Sequence, residues 1–493
     1  MGAASGSKVV VTTRSCQVAE AMEMTLIHKL CVLCDSDCWK LFKYIALKGT
    51  KEEECRELIE VGEKIVKRCK GIPLAIRALG SLLRCTRTKW YWEHVLESEI
   101  WEWDIPKDDG ILPALLLSYY SLPLHLQRCF SFCSVFPKDH WIIKNELVKL
   151  WMAHGIIKSE KAKKDDIEEI GEIYFDDLLT HSLLQDAEKD KYGNIVRCKM
   201  HDLVHDLAAF VSSGDYHSME VENSESLSVN CHHLSLLVSD VLSIPSPLCN
   251  EKRLRTLLLL CHTRMEALPD SLFNHLRFLR ALDLSTQIEN LPSSIEQLKH
   301  LRYLSLCRSK IKELPEFVTD LCNLQTLKLI NCRNLHTLPS GMSKMVRLRH
   351  LEIQWTVKLI VLPNGLGRLT SLRTLCKFPV GDENRGCKIR ELKDLNLLRG
   401  ELSIENLERV MNVNDASEAE LHKKSDLHIL SLCCNDKSDE EWRMLGNDEM
   451  ERMKSVLEGL RPPYSNLKEL KIKKLCGFQV SPLVGGFKVF QSS

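Results

Sequence analysis

Six copies of one phrase, a triplet spaced L-x-x-L-x-L, begin at Leu254, Leu279, Leu301, Leu324, Leu348 and Leu372, the last two carrying Ile353 and Lys377 in the third place. A Leu-Pro pair follows five of them, at Leu268-Pro269, Leu291-Pro292, Leu314-Pro315, Leu338-Pro339 and Leu362-Pro363. The starts lie 22 to 25 residues apart, too long a period for a heptad coiled coil and too short for a domain. A unit of that length holds one short strand and a return segment, and buries its leucines only against a stacked neighbour. The spacing therefore predicts a leucine-rich-repeat solenoid. Such a ladder builds a long surface and carries no catalytic groups of its own, so the chain reads as a recognition protein.

The x positions of each triplet point away from the leucine core and line the concave face. Arg255, Arg280, Arg302, Arg349 and Arg373 recur at equivalent places, which stacks basic groups about 5 Å apart. These arginines are either a partner surface or a repeat consensus that packs on its neighbours. Tyr303, His350, Glu352, Gln354 and Trp355 break the repetition. Irregular residues specify a partner better than regular ones, and Arg280, Arg302, Tyr303, His350, Glu352 and Gln354 are the expected partner surface. Leu427-Leu430-Leu432 and Leu467-Leu470-Ile472 restore the triplet after polar insertions, whereas the last residues, GFQVSPLVGGFKVFQSS, resume no repeat.

At 493 residues the chain has room for about three domains. Sixty-seven basic residues balance sixty-seven acidic ones, so no overall field draws it to nucleic acid or an anionic membrane. The 21 cysteines are scattered and no N-x-S/T sequon occurs, which argues for a reducing, cytoplasmic compartment over a secreted disulfide framework. No apolar run is long enough for a membrane span, and the start has no signal-peptide pattern. MGAASGS places Gly6 where an N-myristoylation signal has Ser or Thr.

Ser7 to Thr13, SKVVVTT, has the β-branched composition of a buried parallel strand. Arg14 follows it, at the strand end where open α/β sheets bind ligands; a phosphate contact and a solvated surface arginine fit that position equally. From Asp35 to Leu83 the pattern is helical, broken at Gly71-Ile72-Pro73, where glycine ends one helix and proline opens the next. Leu147, Leu150, Trp151 and Ile156 predict a buried helical stripe, and a further helix over 166–179 places Ile167, Ile170, Ile173, Tyr174 and Leu178 on one face. Strands at Ser182–Gln185 and Ile195–Cys198 around a polar turn, then a helix opening at Met200-His201-Asp202, complete a winged helix.

Several chemical constellations fall to plainer readings. No G-x-x-x-x-G-K-S/T phosphate loop is present in the sequence. Ile173 to Asp177 imitates a Walker-B strand but lies in a helical pattern. The pairs Cys31/Cys34 and Cys129/Cys133 have no partner pair for zinc, and their apolar settings predict buried free thiols. His201 and His205 lack the H-E-x-x-H glutamate. Lys144, Lys149, Lys158, Lys161, Lys163 and Lys164 could serve DNA, but Glu146, Glu160, Asp165, Asp166, Glu168 and Glu169 are interleaved with them.

In order along the chain, GSKVVVTTRS (Gly6–Ser15), DCWKLF (Asp37–Phe42), CKGIPLA (Cys69–Ala75), CFSFCSVFPKD (Cys129–Asp139) and MHD (Met200–Asp202) resemble the successive motifs of the NB-ARC module of plant intracellular immune receptors with leucine-rich repeats, in their coiled-coil-type branch. The resemblance implies a multidomain chain of α/β and α parts. Residues 1–34 would be the remnant of a parallel-sheet nucleotide-binding domain, 35–106 a helical ARC1-like bundle and 107–212 a winged-helix ARC2-like domain. A linker over 213–227 and a repeat solenoid over 228–493 would follow. It implies a disease-resistance protein in which ADP holds a closed state, while exchange for ATP permits self-association. Arg14 would sense the terminal phosphate, Pro73 would pack by the adenine with Gly71 and Leu74 also binding the nucleotide, His201 would reach the β-phosphate, and His201 with Asp202 would lock the winged helix onto the nucleotide. The repeats would meet a pathogen effector or a guarded host protein. The family's phosphate loop and Walker-B strand should precede Gly6, so the chain is expected to be an N-terminally truncated form that does not hydrolyse ATP. A competent ATPase and a winged-helix DNA binder are the alternatives.

Overall fold

The computed structural model describes residues 10–13, 16–22, 26–50, 55–103, 111–157, 166–220, 231–238, 252–261, 268–269, 271–382, 384–434, 447–463, 466–473 and 488–492. It divides into two compact units, one of residues Met1–Pro106 with Leu112–Ser121, the other of Lys107–Ile111 with Leu122–Ser493.

The first unit is helical. Helices α1 (Cys16–Ala21), α2 (Asp35–Ala46), α3 (Arg56–Arg68), α4 (Pro73–Cys85), α5 (Lys89–Leu96) and α6 (Pro113–Tyr120) follow one another. Asp35 and Asp37 sit in the first turn of α2 and Lys67 and Arg68 in the last turn of α3, each favourable to the helix dipole. Phe42 fills the centre, stacked on Trp39 at 5.7 Å and edge-on to Trp92 at 5.6 Å. The buried Trp92 indole donates to the carbonyls of Leu83 and Thr86, at 3.2 and 3.1 Å, so its polar edge is satisfied inside the core. The expected strand at Ser7–Thr13 is not found in its described part: Val10 to Thr13 are irregular and Val10 is exposed. A β-branched run forms a strand only beside a neighbour that takes its backbone hydrogen bonds, and among the described residues none is there. Arg14 and residues 1–9 lie outside the described residues.

The second unit opens with the winged helix. Helices α7 (Leu124–Phe132), α8 (Lys144–His154) and α9 (Ile167–Thr180) pack with a sheet of order β1-β3-β2, in which β1 (Ile142–Ile143) and β2 (Gln185–Lys189) run antiparallel to β3 (Ile195–Lys199). Helix α10 (Asp202–Val211) follows. Strand β2 starts at Gln185, three residues after the expected start. The reason is the end of α9: Ser182 turns left-handed (φ 59), and Ser182 and Leu183 return their N–H groups to Leu179 and Leu178 at 2.9 and 3.1 Å, a Schellman closure that consumes the segment. The buried face of α9 is Glu168, Gly171, Phe175 and Leu178. Ile173, expected on it, is exposed, and the Walker-B resemblance lies within helix α9, not on a strand.

The solenoid begins earlier than expected. Strand β4 (Tyr216–Glu220) occupies part of the expected linker and heads an eight-stranded parallel sheet, β4 to β11, continued by β5 (His233–Val238), β6 (Thr256–Cys261), β7 (Ala281–Asp283), β8 (Tyr303–Ser305), β9 (Thr326–Lys328), β10 (His350–Glu352) and β11 (Thr374–Leu375). A second parallel sheet runs β12 (Lys377–Pro379), β13 (Gly400–Glu405), β14 (Leu427–Cys433), β15 (Glu469–Lys473), β16 (Lys488–Ser492). The last of these lies in the tail expected to resume no repeat; its backbone extends the ladder although its side chains do not repeat the leucines.

The triplet leucines are buried throughout. The Leu-Pro pairs have a mechanical role: Leu291, Leu314 and Leu338 anchor the return segment, and Pro292, Pro315 and Pro339, extended at φ −61 to −63, initiate short 3-10 helices at Ser293–Gln297, Glu316–Asp320 and Ser340–Lys344. Proline presets that φ, and the N–H it lacks has no partner to lose at a helix start.

Candidate functional site

Four of the charges of α8 and α9 that read as an interleaved surface, Glu146, Lys149, Asp166 and Glu168, are matched by charges of the repeats, while Lys144 pairs with Asp176 within the winged helix itself. Lys149 meets Glu352, and Lys328 meets Glu146. Arg349 grips Glu168 with two parallel hydrogen bonds of 2.6 Å, Nε to Oε1 and Nη2 to Oε2. Asp166 has two tasks: Oδ1 caps α9 by accepting from the Glu168 N–H at 3.2 Å, and Oδ2 accepts from Arg373 and Arg399 at 2.8 and 3.3 Å. The wing reaches the second sheet, where Tyr192 Oη donates to Glu469 at 3.0 Å. The winged helix thus lies along the concave, sheet-lined face of the solenoid.

The C-terminal end of α8 is held by the repeat arginines. Arg280 donates to the carbonyl of His154 at 3.1 Å and Arg302 to that of Ala153 at 3.4 Å, placing cations on the orphan carbonyls at the negative pole of the helix. His154 itself enters an aromatic cluster. Its Nε2 and the Nδ1 of His233 lie 2.7 and 2.8 Å from the Thr256 hydroxyl, and Tyr216 stacks on His233 at 4.3 Å, with Phe132 5.2 Å from His154. One hydroxyl proton cannot serve both rings, so at least one imidazole donates to Thr256 Oγ1.

Burial sets the charge states. It pushes His233 down to about 3 and His154 well below the ordinary histidine range, with neighbouring histidine and arginine charges adding to the effect. His350 Nδ1 lies 3.0 Å from the Thr374 hydroxyl and Nε2 3.2 Å from Glu168; burial brings it to about 4 despite that carboxylate. Burial alone would raise Glu168, but hydrogen bonds from His350 and Arg349 hold it below the carboxylate range. Burial likewise opposes Glu352, and the Lys149 and Lys328 charges override it. The interface is therefore a set of compensated buried charges beside neutral histidines, an arrangement in which losing one partner costs about 3–5 kcal/mol.

Five residues expected to face a partner face this interface instead. Arg280, Arg302, His350 and Glu352 bond the winged helix, and Tyr303 is buried among the strands beside them. The x positions do point out of the solenoid core, as the period requires, but the chain's own winged helix covers them. Gln354 stands beside the interface, half-buried, its carbonyl accepting from the Asn331 N–H at 2.8 Å. Sequence reasoning did not assign Glu146, Lys149, Asp166 and Glu168 to this role, although alternating charges facing an arginine ladder were a signal.

The residues expected to hold nucleotide occupy two helix starts. Pro73 is at the first turn of α4, after Gly71, whose φ of +74 brings its α-carbon against Leu33 and Val32; Leu74 is buried in the same turn. His201 caps α10, its Nδ1 accepting from the Leu203 N–H at 3.2 Å, and Asp202 is the next residue. Cys31 and Cys34 are exposed rather than buried, because segment 26–34 is an irregular strand of chain on the surface; Cys129 and Cys133 are buried. Among the described residues no group of His, Cys, Asp and Glu could hold a metal, and no helix is long and apolar enough to cross a membrane.

Residues 135–208 match the family described as Disease resistance protein Winged helix domain, and residues 294–483 a Leucine-rich repeat region. The chain is 39% identical over 475 residues to disease resistance protein RGA2 of Solanum bulbocastanum, covering 95% of this chain and 44% of that protein. Disease resistance RPP13-like protein 4 of Arabidopsis thaliana is 31% identical over 486 residues, covering 95% of this chain and 54% of that protein. The chain thus spans about half the length of these relatives. Across nearly its own full length it is a homologue of disease resistance proteins, with their winged helix followed by a leucine-rich repeat region.

Proposed function

We propose that the chain acts in the cytoplasm as the regulatory and recognition portion of a plant immune receptor of the NB-ARC, coiled-coil type. The winged helix couples the nucleotide state to repeats that recognise a pathogen effector or a guarded host protein. The observation that carries this reading is the charge-matched seat of the winged helix on the repeats, centred on Arg349 and Glu168. A rigid seat lets a movement of the winged helix reach the repeats, and the reverse.

ADP, exchanged for ATP, is the ligand that the five ordered motifs support, with Arg14, Gly71, Pro73, Leu74, His201 and Asp202 as contacts. The cap at α10 engages Nδ1 of His201, so a phosphate would meet Nε2, and the α10 N-terminus behind it favours an anion. These contacts bind and sense the nucleotide; the phosphate-loop lysine that hydrolysis also needs is not among them. Turnover of ATP by the purified chain, lost on Arg14→Ala, would establish the ATPase alternative. DNA binding is disfavoured because Lys149, on the basic helix, is spent on Glu352; a salt-dependent mobility shift would restore it.

The coupling is tested in leaf tissue expressing the chain at matched levels. Arg349→Glu is expected to change the defence output, read as ion leakage, and the swap Arg349→Glu with Glu168→Arg to restore it. Unchanged output from the single variant refutes the proposal.

A further inference from the structure

Trp355, the irregular residue that the winged helix does not cover, stands on the edge of the solenoid, where the chain leaves β10. The registers Ser305↔Lys328 and Lys328↔Glu352 put Arg308, Asn331 and Trp355, each three residues past its strand, in one column. Backbone bonds of 2.8 Å from Arg308 to Ile330 and from Asn331 to Gln354 tie the column together. All three are left-handed, with φ of 64, 61 and 61. Asparagine tolerates that conformation; tryptophan does not favour it. Trp355 is nevertheless held there with its side chain in solvent, 74% exposed, beside Val357 at 67% and Ile360 at 59%.

The same edge changes character from repeat to repeat. The two preceding repeats carry Arg308, Lys312 and Arg333 exposed and Lys310 half-buried, with Glu313 as the acidic exception; Arg333 Nε donates to Asn331 Oδ1 at 2.9 Å. The repeat of β10 presents Trp355, Val357 and Ile360, with the exposed Lys358 among them reaching toward Asn334 of the preceding repeat at 3.5 Å. Adjacent strands are about 4.8 Å apart, so the basic and apolar parts lie about 5–10 Å from each other. An extended peptide crosses that distance in about two to three residues.

We infer that this edge binds an acidic protein segment, with a large apolar side chain seated on Trp355, Val357 and Ile360 and carboxylates two to three residues away on Lys310 and Arg333. An exposed, preset tryptophan is the residue type that dominates small interfaces, and the neighbouring cations select for acidic residues beside the apolar side chain it receives. A nucleic acid would use the basic half and leave the apolar half exposed. The inference rests on reading the repeats as a recognition arm and names the chemistry of their ligand.

The test measures fluorescence anisotropy of a labelled ten-residue peptide rich in Asp and Glu with one Phe and one Leu, titrated with the full chain. Controls are the same peptide with Phe and Leu changed to Ser, and a single-stranded oligonucleotide. Trp355→Asn installs the residue that the preceding repeat already carries at this φ, so the fold is kept. It is expected to weaken binding at least tenfold, as is loss of Phe and Leu from the peptide. Lys310→Glu with Arg333→Glu is expected to weaken binding and abolish its salt dependence. No binding by the unaltered chain, equal binding by Trp355→Asn, or preference for the oligonucleotide overturns the inference. The assay contains no nucleotide and leaves the Arg349–Glu168 seat intact, so its failure leaves the coupling experiment in leaf tissue standing.

Discussion

Replacing Glu168 with Gln removes the charge at the centre of the winged-helix seat while keeping its shape. Glu168 is 2% exposed and receives both arms of Arg349 at 2.6 Å. The amide can accept one of those bonds but must turn its NH2 toward the other, leaving a guanidinium with little exposure against a donor. Charge-assisted hydrogen bonds contribute about 1.5–3 kcal/mol each, and unpairing a buried ion costs about 3–5 kcal/mol, so the expected loss is about 3 kcal/mol. Repeat arrays need not unfold in one step, and the measurement should be local: amide hydrogen exchange along α9 and β10. A loss of 3 kcal/mol corresponds to roughly a hundredfold faster exchange through opening of the seat. A cycle with Arg349→Gln separates the pair's coupling from the cost of stranding one charge. Acceleration under about fivefold in both elements, or a coupling near zero, would refute the claim that this pair holds the winged helix to the repeats.

The histidines make the same interface acid-sensitive. His233 and His350 have folded values of about 3 and 4, against about 6.5 unfolded. Above pH 6.5 both states are neutral and stability is flat; below it the unfolded chain binds protons that the folded one refuses, so stability falls as pH falls. Each contributes a loss of about 2 kcal/mol between pH 7 and 5, a window above the range in which Glu168 and Glu352 titrate; Asp166, whose carboxyl burial raises to about 6, protonates in the folded state across the same window and offsets part of that loss. Exchange protection in β5 and β10 that does not change over that window would contradict the assignment. Gly71→Ala should destabilise the helical unit by about 2–4 kcal/mol, because its φ is +74 and a Cβ would stand 2.7 Å from the Leu33 carbonyl; a urea transition followed by the Trp39 and Trp92 signals reads this. Gly171→Ala should cost about 1–3 kcal/mol by overpacking, since the added carbon would lie 2.6 Å from Val148 Cγ1, and a melting point at or above that of the unaltered chain would show that α8 and α9 yield freely.

The repeats were legible because each leucine is constrained by a fixed period, and a ladder of one unit has one way to stack. Helix boundaries at Pro73 and Asp202 were legible for a local reason: the start signal is in the residue itself. Pairing at a distance was not legible. Glu168 and Arg349 are 181 positions apart, and nothing local in DDIEEIGE distinguishes a carboxylate seated on a guanidinium from one in water. The polar stretch YHSME has the composition of a linker because β4 is stabilised by neighbours: Tyr216 stacks on His233 and the strand pairs with β5. The same limit applies to Val10, where a good strand sequence stands without a sheet.

Covering the concave face also decides where an outside partner can bind. A partner competing for Arg349, His350 and Glu352 must meet them in molecules whose winged helix has lifted away. If that opening costs about 5 kcal/mol, only on the order of one molecule in several thousand is receptive, and the apparent affinity falls by the same factor. A nanomolar contact would then act as a micromolar one. The Trp355 edge carries no such reduction, because its side chains face solvent while the seat is closed. A partner bound there can act on the seat only through structure common to both, and β10 supplies the link: His350 and Glu352 bond the winged helix, and Trp355 lies three residues further along the same chain. Binding at the edge and release at the seat are therefore coupled to the extent that the backbone from Glu352 to Trp355 shifts on binding. That coupling must be reciprocal: Glu168→Gln, by loosening β10, should alter peptide affinity at an edge it does not touch. If it opens the seat yet leaves that affinity unchanged, the edge and the seat are independent.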